Sequence, residues 1–340
     1  MGEFQAPGNI ALLADIGATH ARFALASTEP AAPLRMDSVR IYPAADFASL
    51  DAAAAHYLRE TGTVAPRRGV FAIAGRVQGD AVNMTNRRWT ISLEQTRRAL
   101  ALDTLRIGND FGLLAMCLPL LASSDILAIG PGESALDAGG SQNLAVLGPG
   151  TGLGVAGLLL REGRTQVLET EGGHLGFAPQ TQEEIEILQR LAQRFGRVSN
   201  ERLISGPGLV NLYQTLCQLS GIHAEPLRPE DISERAAQGH DPVCGRAMRV
   251  FADILGSIAG DLVLTLGAWE GVYLAGGMLP ALLPWLEQGG FRQRFEDKGR
   301  YSQAMASVPV RVILHPQAGL LGAAAAAIAD ARIGLAPGKA

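Results

Sequence analysis

The sequence predicts an α/β protein of about two domains, and three observations carry that reading. Apolar strand-like runs alternate with helix-like stretches through the first third of the chain, the pattern of a mixed or parallel sheet with ligands at the carboxyl ends of its strands. The 340 residues exceed what one core usually serves. One local design, strand, glycine-rich turn, strand, occurs twice, at Asp15-Ile-Gly-Ala-Thr19 and at Gly148-Pro-Gly-Thr-Gly152.

The elements follow in order. Apolar runs Ile10–Ala14 and Phe23–Ala26 flank the first turn, so residues 10–27 read as a hairpin. Val39–Tyr42 reads as a third strand, Ala44–Thr61 as a helix and Gly69–Ile73 as a buried strand. A helix over Leu93–Leu102 and a strand over Leu105–Ile107 lead to Gly108-Asn109-Asp110, which places Asp110 at a strand's carboxyl end. A second hairpin spans 144–160. Thr181 and Glu184 form a capping box before Ile185, Leu188, Leu191, Ala192 and Phe195 on one helical face, and Gly196 ends that helix. Pro207 and Gly221 bracket a second helix, Asp231 with Glu234 starts a third, and Pro242–Leu266 is a long fourth. Gly271–Leu274 is a strand running into Gly276-Gly277, and an alanine-rich helix closes the chain after Gln317. No low-complexity linker divides the halves, so the boundary is expected as a hinge near residues 111–115, with the last helix returning across it.

Composition narrows the function classes. A hydrophobic fraction of 47% supplies ample core, and a net charge of -4 without a lysine-arginine run argues against nucleic acid as a partner. Cys117, Cys217 and Cys244 are odd in number, widely spaced and outside any zinc or redox pattern, which fits a reducing compartment. Residues 1–8 lack a basic segment followed by an apolar stretch, and no run reaches the roughly 18 apolar residues of a membrane span. The expectation is a soluble, cytoplasmic protein.

The candidate chemistry leaves alternatives open. No Walker A pattern is present. Gly152-Leu-Gly154-Val-Ala-Gly157 fits G-x-G-x-x-G, but strand and turn residues follow where a dinucleotide site needs a helix. Either glycine turn can be a plain hairpin loop or a cradle of amide N–H groups for phosphate. Asp15 suits a hydrated magnesium ion or its own turn amides, and the Thr19 hydroxyl suits a phosphate oxygen. Asn109-Asp110 can cap the following helix, or Asp110 can act as a general base with Asn109 orienting an alcohol. Glu171, His174 and Glu201 are either solvated surface groups or a polar cluster for several hydroxyls, the set a sugar requires. Their spacing matches no recognised zinc pattern. His56, His223, His240 and His315 have no acidic or nucleophilic motif nearby and read as structural or solvated.

Taken in order, several segments resemble the bacterial glucokinase family typified by the enterobacterial enzyme. They are Asp15–Arg22, Ile73–Gly75, Met84–Asn86, Asn109–Phe111, Gly148–Ala156, Glu171–His174, Glu201-Arg202, Ser205–Tyr213, Phe295–Arg300 and Gly319–Gly322. The similarity runs over nearly the whole chain, and the cysteine-rich zinc loop of repressor-type sugar kinases is missing. The resemblance implies the actin-like ATPase (ribonuclease H-like) fold: two α/β domains around a central cleft, residues 1–111 plus 317–335 and residues 112–316. It implies ATP-dependent phosphorylation of glucose at the 6-hydroxyl, giving glucose 6-phosphate and ADP in glycolysis. Asp110 would be the base, with Asn109, Glu171, His174 and Glu201 on the sugar. Asp15, Ile16, Gly17, Ala18 and Thr19, with Gly150, Thr151 and Gly152, would hold the nucleotide phosphates, Gly276 and Gly277 would lie beside the adenosine, and Asp15 would meet Mg2+ through water. It also implies a homodimer.

Three positions depart from the family pattern. Ala18 and His20 stand where glycine and asparagine are usual, and Thr170 stands where glycine is common beside the sugar-binding glutamate. The changed first turn keeps two other expectations in view: a kinase for another hexose or phosphoryl donor, and a weakly catalytic paralogue that binds sugar or nucleotide to regulate a partner.

Overall fold

The computed structural model describes residues 10–17, 19–27, 33–62, 66–84, 89–132, 140–288 and 290–333. Ala18, Thr85 and Asn86, singled out above, lie outside the described residues, as do residues 1–8 and 334–335. The chain forms two compact units, residues 1–122 with 315–340, and residues 123–314.

In the first unit, strands β1 (Ile10–Ile16), β2 (His20–Ser27) and β3 (Leu34–Pro43) form an antiparallel meander. Helix α1 (Leu50–Thr61) leads to β4 (Arg68–Ile73), which returns parallel to β1. A small separate meander, β5 (Gly75–Gln78), β6 (Ala81–Met84) and β7 (Thr90–Ser92), precedes α2 (Leu93–Ala99). Strand β8 (Thr104–Asn109) then adds parallel to β4 and runs straight into α3 (Asp110–Ala115). The main sheet order is therefore β3-β2-β1-β4-β8. Its core gathers Phe23, Tyr57, Phe71 and the apolar side of the hairpin.

The second unit starts at β9 (Ile126–Ala128) and repeats the plan with β10 (Gln142–Pro149), β11 (Leu153–Arg161) and β12 (Arg164–Glu169) as its meander. Four helices follow: α4 (Gln182–Phe195), α5 (Gly206–Leu219), α6 (Pro229–Ala237) and α7 (Pro242–Leu266). Strand β13 (Val272–Leu274) pairs parallel to β10. After α8 (Leu279–Glu287), α9 (Gly290–Glu296) and α10 (Ser302–Met305), β14 (Val310–Ile313) pairs parallel to β13. The order β12-β11-β10-β13-β14-β9 repeats that of the first sheet with one strand added at the edge. Three antiparallel strands followed by two parallel ones, present in both units, is the actin-like ATPase fold.

The closing helix α11 (Ala318–Ile333) packs on β1, β4 and α3 within the first unit. This packing explains a shifted boundary. Residues 111–115, read from sequence as a hinge, are α3 itself, and the first unit extends to Ala122 and resumes at His315. Two helix starts also move. The helix expected from Ala44 begins at Leu50, where the Ser49 hydroxyl accepts the Ala52 N–H, and residues 44–46 form only a short 3-10 turn. The helix expected from Asp231 begins at Pro229, with the Asp231 carboxylate accepting the Arg228 N–H at 3.0 Å. Among the described residues no helix is long and apolar enough to cross a membrane.

Candidate active site

In the first unit the candidate residues collect at one end of the sheet. Parallel pairing sets Asp15 level with Ala72 and Gly108, and Ile16 level with Ile73 and Asn109. Asp15 and Asn109-Asp110 therefore leave the carboxyl ends of β1 and β8, the edge where open α/β sheets take ligands. The hairpin register puts Arg22 directly across from Asp15, and its Nη1 donates to Asp15 Oδ2 at 3.2 Å. The Asp15 carboxylate also lies against Gly319 in the first turn of α11, where the helix dipole favours negative charge. Burial pushes the Asp15 carboxyl above the ordinary carboxylate range, and the Arg22 guanidinium opposes that shift.

The turn between β1 and β2 is fixed by its backbone. Gly17 N–H donates to the His20 carbonyl (3.0 Å), and Ala44 N–H donates to the Thr19 carbonyl (2.9 Å). The side chains of Thr19 and His20 are exposed. Asn109 does cap α3, its Oδ1 accepting the Gly112 N–H at 3.0 Å, while Asp110 Oδ1 accepts the Phe111 N–H at 2.9 Å. Capping holds both side chains at the helix start, so it orients a functional pair as readily as it replaces one.

In the second unit the turn Gly150-Thr151-Gly152 joins β10 to β11. Gly150 N–H closes on the Gly152 carbonyl (2.8 Å), and Gly206 N–H at the start of α5 donates to the Gly150 carbonyl (2.8 Å). At the far side of the turn, Leu153 N–H donates to Glu201 Oε2 at 2.9 Å. Met278 N–H reaches the Pro149 carbonyl at 3.4 Å, which brings the Gly276-Gly277 segment after β13 beside the same turn.

Glu171 precedes a single 3-10 turn, Gly172–His174, that packs on β11. His174 N–H donates to the Glu171 carbonyl (2.9 Å), and His174 Nδ1 stands 3.9 Å from Glu201 Oε1. Thr170 fastens this segment: its hydroxyl donates to the Val155 carbonyl (2.8 Å) and accepts the Gly172 N–H (3.2 Å). Glu171 and His174 are exposed and Glu201 is half-buried, so the unit presents carboxylate and imidazole groups to solvent beside a glycine turn.

The structure thus gathers the predicted residues that it describes into one group per unit, Asp15–Gly17 and Thr19 with Asn109-Asp110, and Gly150–Gly152 with Glu171, His174, Glu201 and Gly276-Gly277. Sequence reasoning passed over Arg22 as a site residue, although a hairpin folded about residues 18–19 pairs position 15 with position 22. It also passed over Gly206, whose contact with the turn leaves no local signal.

The glucokinase family model matches residues 12–330 of the chain. The chain belongs to the glucokinase family. A glucokinase of Stenotrophomonas maltophilia (strain R551-3) is 54% identical over 325 residues, covering 94% of this chain and 95% of the relative. The crystal structure of a glucokinase from an Antarctic psychrotroph is 36% identical, with a TM-score of 0.82 over 94% of this chain and 98% of that one. The glucokinase of Balamuthia mandrillaris, solved in complex with glucose, shares the fold at 23% identity, with a TM-score of 0.77 over 94% of this chain and 93% of that one. Membership in the glucokinase family makes this chain an enzyme and gives the twin turns a common context.

Proposed function

We propose that the chain transfers the γ-phosphoryl group of MgATP to the 6-hydroxyl of glucose, giving glucose 6-phosphate and ADP. The observation that carries the reading is local to the second unit. There a glycine turn suited to phosphate shares Glu201 with a His174 and Glu171 cluster suited to sugar hydroxyls.

Phosphoryl transfer depends mainly on positioning and on neutralising phosphate charge. In this reading Asp110 accepts the proton of the 6-hydroxyl as the new O–P bond forms and the bond from the γ-phosphorus to the ADP oxygen breaks. Asn109, Glu171, His174 and Glu201 hydrogen-bond the other hydroxyls. The Ile16–Thr19 and Gly150–Gly152 turns receive the phosphates, and Gly276-Gly277 lies along the adenosine. Among the described residues no three His, Cys, Asp or Glu side chains gather to hold a metal by themselves. Mg2+ needs only one or two carboxylates when waters and substrate phosphates complete its shell, so Asp15 fits it through water. When bound, Mg2+ neutralises phosphate charge. The same reading carries a cytoplasmic homodimer, which light scattering on the purified protein checks.

The test is steady-state turnover with coupled detection of ADP, run over a panel of hexoses and phosphoryl donors. Glucose with MgATP should be preferred. Asp110→Asn should fold, keep glucose binding and lose about 10²–10⁴ in rate, the usual cost of removing a general base. Near wild-type turnover in that variant would remove Asp110 from its role. Preference for another hexose or donor would redirect the substrate assignment, and binding of glucose without turnover would leave a sensor.

A further inference from the structure

The glycine at position 152 has a use that phosphate binding does not require. Its φ is not positive, so its backbone conformation is open to any residue. Its side-chain space is not open, because a Cβ at Gly152 would lie 2.5 Å from Glu201 Oε2 and 3.3 Å from Glu201 Cδ. The missing side chain lets the Glu201 carboxylate reach the Leu153 N–H. The segment 201–206 then holds the turn from both ends. Glu201 grips Leu153, and Gly206 N–H grips the Gly150 carbonyl. Ser205 ties the two grips together, its hydroxyl donating to the Glu201 carbonyl at 2.8 Å and accepting the Gly208 N–H at 3.0 Å. Meanwhile the other carboxylate oxygen, Glu201 Oε1, faces His174.

We propose that Glu201 is a positioning residue that couples the two substrates. One oxygen sets the Gly150–Gly152 turn that receives phosphate, and the other meets the sugar. The proposal rests on the assignment of sugar and phosphate to these groups made above. A carboxylate is a rigid planar group, so a sugar hydroxyl that fixes Oε1 also fixes Oε2, and with it the Leu153 amide. Glucose therefore tightens nucleotide binding, and by linkage nucleotide tightens glucose binding to the same degree.

Calorimetric titration of a non-hydrolysable ATP analogue with Mg2+, with and without saturating glucose, tests this. Couplings of this kind span about 5–150-fold, and wild type should gain about tenfold from glucose. Glu201→Gln keeps an oxygen for the Leu153 N–H but exchanges the charged acceptor facing the sugar for a neutral amide NH2, so the hold of the sugar on this group weakens and the glucose-linked gain should fall from about tenfold to about threefold or less. Glu171→Gln, which alters a sugar contact with no bond to the Gly150–Gly152 turn among the described residues, should weaken glucose binding and keep the gain. Gly152→Ala pushes Glu201 off its seat, so glucose affinity without any nucleotide should fall about tenfold, the scale of one lost hydrogen bond to a charged group. Thermal melts confirm folding, and the Glu201→Gln comparison decides if Gly152→Ala does not fold. The full gain retained in Glu201→Gln, or no gain in wild type, overturns the coupling and leaves the kinase reading standing. Wild type that binds neither ligand overturns both.

Discussion

At the scale of a residue, Thr170 shows how a departure from a family pattern becomes legible only in three dimensions. Its hydroxyl bridges the Val155 carbonyl on β11 and the Gly172 N–H, fastening the segment that carries Glu171 and His174. Thr170→Val keeps the shape and removes both bonds, leaving the carbonyl of buried Val155 and the amide of half-buried Gly172 without that partner. The expected cost is about 1–3 kcal/mol of stability, read from the denaturant midpoint. The sugar cluster should loosen with it, so the KM for glucose should rise severalfold while kcat changes little. A glucose KM unchanged in that variant would separate the staple from sugar binding. The sequence marked Thr170 as unusual but did not supply its partner: Val155 stands opposite it one step beyond the Ala156–Glu169 pair of the β11–β12 hairpin, and β12 left no periodicity from which to read that register. Asp15 and Arg22 are paired by hairpin symmetry too, and there both strands were legible.

At the scale of an element, α7 was readable from end to end while its neighbour α9 was not. The apolar face from Val243 to Leu262 gave the long helix, with Asp241 capping its start by accepting the Val243 and Cys244 N–H groups. The short strands β9, β12 and β14 and the helices α8, α9 and α10 left no comparable periodicity. They hold their conformation through pairing and packing rather than intrinsic preference. The meeting of α7 and α9 explains why. Gly256 and Gly260 lie one turn apart on α7, and a Cβ at either would run into the Phe291 or Phe295 carbonyl of α9. A short helix can dock there because the long one offers a bare strip. In a free helix alanine beats glycine by about 1 kcal/mol. At Gly256 the overlap is with backbone that cannot rotate away, so steric cost should exceed that gain. Gly256→Ala should therefore destabilise the protein by about 1–3 kcal/mol, seen as a lower denaturant midpoint at unchanged slope. A midpoint equal to or above wild type would mean that α9 yields without cost.

At the scale of the whole molecule, the paired turns reported a duplication that the sheets display in full, β3-β2-β1-β4-β8 against β12-β11-β10-β13-β14. The unit boundary was less legible, because α3 joins the first unit by packing on α11, a contact that no local pattern encodes. The cysteines carry a consequence for the fold as a unit. Cys117, Cys217 and Cys244 are all buried, and none is in a disulfide. Burial raises the Cys217 thiol and pushes Cys244 up to about 12, helped by its hydrogen bond with Asp241; burial and a hydrogen bond with Cys217 push Tyr213 up to about 12 as well. In the unfolded chain a cysteine titrates near 8.5 and a tyrosine near 10. Above about pH 8.5 the unfolded state thus releases protons that the folded state keeps, so stability is full below that point and falls as pH rises toward 12. The denaturant midpoint should stay level from pH 7 to about 8.5 and then drop steadily, and Cys244→Ala should make the drop shallower. Ellman's reagent at pH 8 should find no reactive thiol in the native protein and three after denaturation. A flat midpoint through pH 10.5, or fast labelling of the native protein, would show that solvent reaches these thiols and that the second unit opens far more readily than its packing implies.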